Sequence, residues 1–137
     1  MNSWIQERRI EPAALVVGRL LLATIFLHEG IAKLSNYAGA VAYAKAFGVP
    51  AELLPVAIAA ELGCGLLVAL GLYARAAALV LASFCLFTAA VFHSTFGDRN
   101  QLLHFEKNLA IAGGLLVLAV RGPGRYVLSR KTLQRET

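Results

Sequence analysis

Charge is scarce in this chain. Only 15% of its 137 residues are Asp, Glu, Lys or Arg, against about 25% in soluble domains, while 58% are hydrophobic and the mean hydropathy is +0.66. That balance excludes an ordinary water-soluble domain and makes the bilayer the expected solvent. Acidic residues are scarcer than basic ones, 8 against 13, for a formal net charge of +5. In a soluble protein such an excess would suggest nucleic acid. Here the basic residues gather at the chain ends and do not form a patch interleaved with aromatics, so no nucleic-acid partner is expected and the excess reads as a topology signal. The 2 cysteines, Cys64 and Cys85, sit in apolar runs without CxxC or Cys/His spacing, which argues against a disulfide framework or a thiol redox motif and for core-type residues. No nucleophile triad, nucleotide-binding glycine loop, internal repeat or low-complexity segment is present.

What the chain has in quantity is apolar runs of spanning length. Residues 1–12 form a polar lead carrying Arg8 and Arg9, and no small-x-small cleavage site follows the first apolar stretch, so cleavage as a signal peptide is not expected. Four spans follow at about residues 13–34, 52–73, 76–96 and 102–120. Between the first two, residues 35–50 read as an amphiphilic interfacial loop with Tyr37, Tyr43 and Phe47, broken by Gly39 and Gly48. Pro50 and Pro55 suit the first turn of the second helix. Leu72–Arg75 allows only a tight turn, and Gly97–Asn100 a polar one. RGPGR at 121–125 ends the fourth span, and a basic tail covers 122–137. The expected fold is all-α, an antiparallel bundle of four transmembrane helices occupying residues 13–121. Arg8, Arg9, Arg75, Arg121, Arg125, Arg130, Lys131 and Arg135 fall on one side, which by the positive-inside rule places both termini in the cytoplasm.

One carboxylate demands an explanation. Glu61 lies inside the apolar, glycine-rich run AAELGCGLLVALGLYAR, where an ionised group must be paired, protonated or turned toward a cavity. The expected topology brings His28, Glu29 and Lys33 at the end of the first span, His93 at the end of the third, and His104, Glu106 and Lys107 at the start of the fourth into the outer third of the bilayer. Glu61 is expected deeper. Helical periodicity sorts these residues by face. Arg19, Phe26, Gly30 and Lys33 share a stripe, with Glu29 beside Lys33 in the favourable i,i+4 order. Glu61 and Gly65 share another, and His104, Lys107 or Asn108, and Gly114 a third; His28 and Glu106 point elsewhere. Glycines at these faces would permit close helix approach. The simplest pairing joins Glu61 to Arg19, about 7 Å apart in depth, with Lys33 and Lys107 as the other candidate partners.

Several readings fit that cluster. The charges could be a buried network that only holds the bundle together. The three histidines lack HExxH or paired i,i+4 spacing, so no metal is expected. A quinone could enter between helices and find Lys, His and Asn partners for its carbonyls. A noncatalytic binding or assembly role, and a proton or small-solute pathway through Glu61, are the remaining classes.

Arg19 followed by F-x3-G-x2-KL at Phe26–Leu34, AELGCG with GLYAR at Ala60–Arg75, His93, and LLHFEKNLAIAGGLLVL in the fourth span together resemble the DoxX family of small membrane proteins. The resemblance runs from about Leu15 to Val120. It implies a bacterial inner-membrane four-helix bundle, with Arg19, Gly30, Lys33, Glu61, Gly65, Gly71, Arg75, Lys107 and Asn108 as family-type residues. Relatives include a membrane subunit of a thiosulfate:quinone oxidoreductase and members linked to membrane redox and oxidative-stress complexes; distant ones act as cargo receptors or assembly chaperones. The implied role is a membrane subunit or accessory protein of a quinone-linked redox system, with a membrane redox partner and with homo-oligomerisation open. Cys64 and Cys85 are mid-membrane, not in the outer loops where some redox-active relatives carry cysteines, which argues against a dithiol mechanism.

Overall fold

A computed structural model describes residues 3–128, with side chains described from Ile10 onward. The tail residues Arg130, Lys131 and Arg135 and the side chains of Arg8 and Arg9 lie outside the described residues. Five helices follow in order, α1 (Ser3–Ser35), α2 (Tyr37–Ala46), α3 (Ala51–Leu70), α4 (Ala74–Phe92) and α5 (Arg99–Arg121), and no strand occurs among the described residues. All except α2 are long and apolar enough to cross a membrane.

The packing follows from where small residues recur. On α4, Ala74, Ala77, Ala78, Leu81, Ala82, Cys85 and Ala89 are buried at helical spacing. They face Ala112, Leu115, Leu118 and Ala119 of α5, and the α4–α5 interface is the most extensive in the bundle. Alanines on both helices allow the backbones to approach closely, the usual basis of association where lipid removes the hydrophobic drive between helices. Glycines play the same part for α1. A Cβ added at Gly65 would stand 3.3 Å from Phe26 Cβ, one at Gly114 3.3 Å from Leu22, and one at Gly30 2.6 Å from Leu62. The outer faces carry large exposed apolar side chains such as Leu21, Val117 and Val120, the composition expected of a surface solvated by lipid tails.

Three features depart from the sequence-based expectation. Residues 37–46 are helical, because Asn36 Oδ1 caps α2 by accepting from the Gly39 amide at 3.1 Å. Gly39 therefore belongs to the first turn of α2, whereas Gly48, at φ +74°, does break the chain. Helix α1 begins at Ser3 and runs through Pro12, so residues 3–12 of the polar lead continue the helix of the first span. Finally, α3 is irregular. It opens with a 3-10 turn at Ala51–Leu53, continues as α-helix over Leu54–Ala59, widens into a π-helical turn at Ala60–Cys64 and returns to α-helix at Gly65–Leu70.

At the end of the bundle where α3 ends and α4 begins, two arginines bind backbone. Arg75 Nη1 donates to the Ala119 and Val120 carbonyls at 3.0 and 2.6 Å, and its Nη2 to Arg121 at 3.3 Å, satisfying the orphan carbonyls that end α5. Beyond α5 the chain turns at Gly122 and folds back under α3, where the Leu128 amide donates to the Leu70 carbonyl at 3.0 Å. Arg19 holds this strap. Its guanidinium donates to the Pro123 carbonyl at 2.6 Å, to Tyr126 at 2.9 Å and to Ala69 at 3.4 Å. Arg121 adds an ion pair to Glu11.

Gly71 closes α3 at φ +77°, and a Cβ there would meet Val127 at 2.7 Å and Arg19 Nη1 at 2.8 Å. Gly71→Ala is therefore expected to destabilise the protein by about 1–3 kcal/mol, read as an earlier unfolding midpoint when dodecyl sulfate is titrated into a mild-detergent solution. An unchanged midpoint would mean that the strap is not seated against α3.

Candidate functional site

The opposite half of the bundle is hollow. A cavity of about 680 Å³ lies between α1, α2, α3, α4 and the start of α5, within the usual range for sites that take a drug-sized ligand. Its walls are mainly apolar and aromatic: Phe26 from α1, Tyr43 from α2, and Phe84, Thr88 and Phe92 from successive turns of one α4 face. Tyr43, 49% exposed, Val56, 65%, and Phe87, 50%, also line it, so the cavity opens sideways between helices onto the surface that faces lipid. Tyr43 stacks on Phe92 at a 5.4 Å centroid distance beside this opening.

The polar groups enter from three helices. Glu61, only 3% exposed, is presented by the π-helical turn of α3. Such turns insert one extra residue into the helical register and recur at functional positions. Its Oε1 accepts from Lys33 Nζ at 2.9 Å, and Lys33 also reaches Glu29 Oε2 at 3.4 Å. Glu29 is half exposed, so a line of three charged groups runs from the bundle interior to its surface. The second oxygen, Glu61 Oε2, is shut off from solvent and has no hydrogen-bond partner among the described residues. Across the cavity His93 and His104 stack at 5.1 Å, with His93 Nδ1 lying 2.8 Å from Gln101 Oε1. Asn108 Nδ2 donates to the His104 carbonyl at 3.2 Å, and Lys107 lines the same space with no ion-pair partner among the described residues.

Glu29, Lys33, Glu61, His104, Lys107 and Asn108 thus border one cavity. Arg19 does not, and the expected Arg19–Glu61 pair is absent. The reason is helix register. Gly30 of α1 packs against Glu61 and Leu62, Gly65 against Phe26, and Gly71 against Arg19. Glu61 therefore sits at the level of Gly30, eleven positions and about 16 Å along α1 from Arg19, where Lys33 on the next turn is the cation within reach.

Most of the residues that surround this cavity fall within the match to a family model. The model describes DoxX and covers residues 14–94, more than half of the chain. The chain belongs to the DoxX family. Two similar DoxX-type proteins of Escherichia coli (strain K12) extend the likeness across the fourth span: inner membrane protein YqjF is 42% identical over 123 residues, covering 90% of this chain and 95% of that protein, and inner membrane protein YphA is 32% identical over 127 residues, covering 88% and 91%. No solved structure matches. With four membrane-spanning helices and inner-membrane relatives of nearly equal length, this DoxX member is a multi-pass inner-membrane protein. The DoxX match includes Glu29, Lys33, Glu61 and the α4 wall but stops before His104, Lys107 and Asn108.

Reasoning from sequence missed the aromatic wall of this DoxX bundle. Phe84, Thr88 and Phe92 recur at intervals of four on α4, which was the available signal. Tyr43 carried none, because its place depends on α2 being a helix. Cys85 is buried beside the same wall, and Cys64 is half-buried; both are free thiols.

Proposed function

We propose that the chain is a membrane-embedded binding subunit of a redox system and that its cavity takes the headgroup of a quinone-class, lipid-soluble ligand. The observation that carries this reading is the sideways opening of an aromatic-walled cavity whose inner end holds the Lys33–Glu61 pair. A planar ring can lie against Phe84 and Phe92, and its oxygens can meet the ammonium groups of Lys33 and Lys107 and the imidazole of His104. The ligand's apolar tail leaves through the opening at Tyr43 and Val56 into lipid. With the basic residues of the strap end placed in the cytoplasm, the cavity belongs to the outer leaflet, and a carboxy-terminal reporter that is active only in the cytoplasm checks that placement.

Equilibrium titration of the full-length protein in mild detergent with a short-chain ubiquinone analogue tests the reading. Saturable binding is expected, weakened by about tenfold in Lys107→Met, the loss of one charge-assisted hydrogen bond. Absence of saturable binding to the wild-type protein would contradict it. A protein partner that copurifies in fixed ratio with an empty cavity would favour an assembly role instead.

A further inference from the structure

The elements that border the lateral opening of the cavity are not equally fixed. Tyr43 comes from α2, Val56 from α3 and Phe87 from α4. Both α3 and α4 are of spanning length and bury residues along it, Leu54, Ile58, Glu61 and Val68 on one and the alanine stripe on the other. Helix α2 is too short to span, and its one buried residue is Ala44. The sequence YAGAVAYAKA accounts for that shallow seat, since its alternating alanines offer little side chain to bury.

Helix α2 also satisfies its own ends. Asn36 Oδ1 takes the Gly39 amide at the first turn. At the last turn the Phe47 and Val49 amides donate to the Ala44 carbonyl at 3.1 and 3.0 Å, and the Gly48 amide donates to Lys45 at 3.0 Å. Among the described residues, no hydrogen bond or ion pair joins residues 37–48 to α3, α4 or α5. The helix is thus a self-contained unit between two joints where the backbone leaves helical geometry, Asn36 at φ −132° and Gly48 at φ +74°. Short joints at element ends are where hinged elements absorb their rotation. What ties the far end of α2 to the bundle is a cluster of rings. Tyr43 lies 5.0 Å from Phe47 and 5.4 Å from Phe92, and Phe47 lies 5.2 Å from Phe92, the last residue of α4. Aromatic pairs are individually weak, so the cluster holds α2 without locking it.

From this we infer that α2 is a hinged lid at the lateral opening, held shut by the rings of Tyr43, Phe47 and Phe92, and that its swing away from Phe92 opens the cavity to the bilayer. The inference rests on the reading of the cavity as a site loaded from lipid and adds the element that moves. The swing separates rings and uncovers Ala44 but breaks no hydrogen bond to a spanning helix. An element with few buried contacts and locally closed hydrogen bonds is the kind that moves as a unit.

Paired spin labels test the motion without any ligand. Full-length protein carries Ala42→Cys on the exposed surface of α2 and Leu103→Cys on the exposed surface of α5, with Cys64→Ala and Cys85→Ala removing the native thiols. Label-to-label distances are measured by double electron-electron resonance in lipid nanodiscs. The shorter distance is expected to dominate, with a longer one in the minority. Tyr43→Ala and Phe92→Ala each remove ring contacts, one from the lid and one from its frame. Each is expected to raise the ratio of longer to shorter population about tenfold. Amide exchange over residues 37–46 should keep its helical protection in Phe92→Ala, because α2 itself is untouched. Distances unchanged in both variants overturn the lid and leave the quinone-class site standing. Longer distances that appear only together with loss of protection throughout α2 show melting in place of a swing, and also overturn it. Should Tyr43→Ala not fold, Phe92→Ala decides by itself. If the short-chain ubiquinone analogue fails to bind while the distances respond as expected, the quinone-class reading falls and the lid stands.

Discussion

Replacing Lys33 with methionine is expected to destabilise the bundle by about 3–5 kcal/mol, the cost of stranding one member of a buried ion pair. Glu61 is 3% exposed and its carboxylate has one hydrogen-bond partner among the described residues, Lys33 Nζ at 2.9 Å. Methionine fills the space of the lysine stem but brings no charge, so Glu61 keeps its burial and loses its counterion. The double variant Lys33→Met/Glu61→Gln is expected to recover most of the loss, because removing both charges of a buried pair is far less damaging than removing one. The two changes should thus couple strongly in a double-mutant cycle of unfolding midpoints. Additive losses would mean that the pair is not formed in the folded protein. Glu29→Gln, by contrast, touches a half-exposed side chain at 3.4 Å from Lys33 and is expected to change stability by less than about 1 kcal/mol.

Arg19 is the second position of large effect, through a different mechanism. Its guanidinium serves three backbone carbonyls from two separate segments, Ala69 at the end of α3 and Pro123 and Tyr126 in the strap. Arg19→Met leaves those carbonyls without their donor in a largely buried setting and is expected to cost about 3 kcal/mol or more. The strap should then detach, seen as faster proteolysis between Gly122 and Leu128 in detergent. Arg19→Lys is expected to recover less than half of the loss, since a single ammonium cannot span the separated acceptors that the planar fork reaches. Ligand binding at the cavity should change little, as the α1 residues that line the cavity begin at Ile25, more than one turn beyond Arg19. A large loss of binding with the strap still protected would show that Arg19 belongs to the site after all.

These two residues also show what was legible in the sequence. The four spans and the outward direction of His28 and Glu106 could be reasoned from hydropathy and helical periodicity, because each depends on a single helix. Which cation meets Glu61 depends on the register between α1 and α3. That register is set by contacts such as Gly30 with Leu62 and Gly71 with Arg19, and depth counted from apolar run lengths puts Glu61 about 7 Å from Arg19 where the register gives about 16 Å, a difference of just under two turns. The π-helical turn at Ala60–Cys64 and the strap held by Arg19 were hidden for a related reason. Nothing in AELGC announces an extra residue per turn, and a guanidinium binding carbonyls leaves no partner side chain to notice. Only the Tyr43 part of the aromatic wall was hidden by α2, whose helix depends on the Asn36 cap where the sequence suggests a loop broken at Gly39.

The most direct test of the account is photoaffinity labelling of the full-length protein in lipid nanodiscs with an azido-quinone, followed by peptide mapping. Labels are expected on the α4 wall at Phe84–Phe92 and on the facing α3 segment at Val56–Glu61, and an excess of unlabelled hydroquinone should suppress them. Labels spread over lipid-facing positions such as Leu21, Val117 and Val120, undiminished by competitor, would contradict a quinone-class site in this cavity.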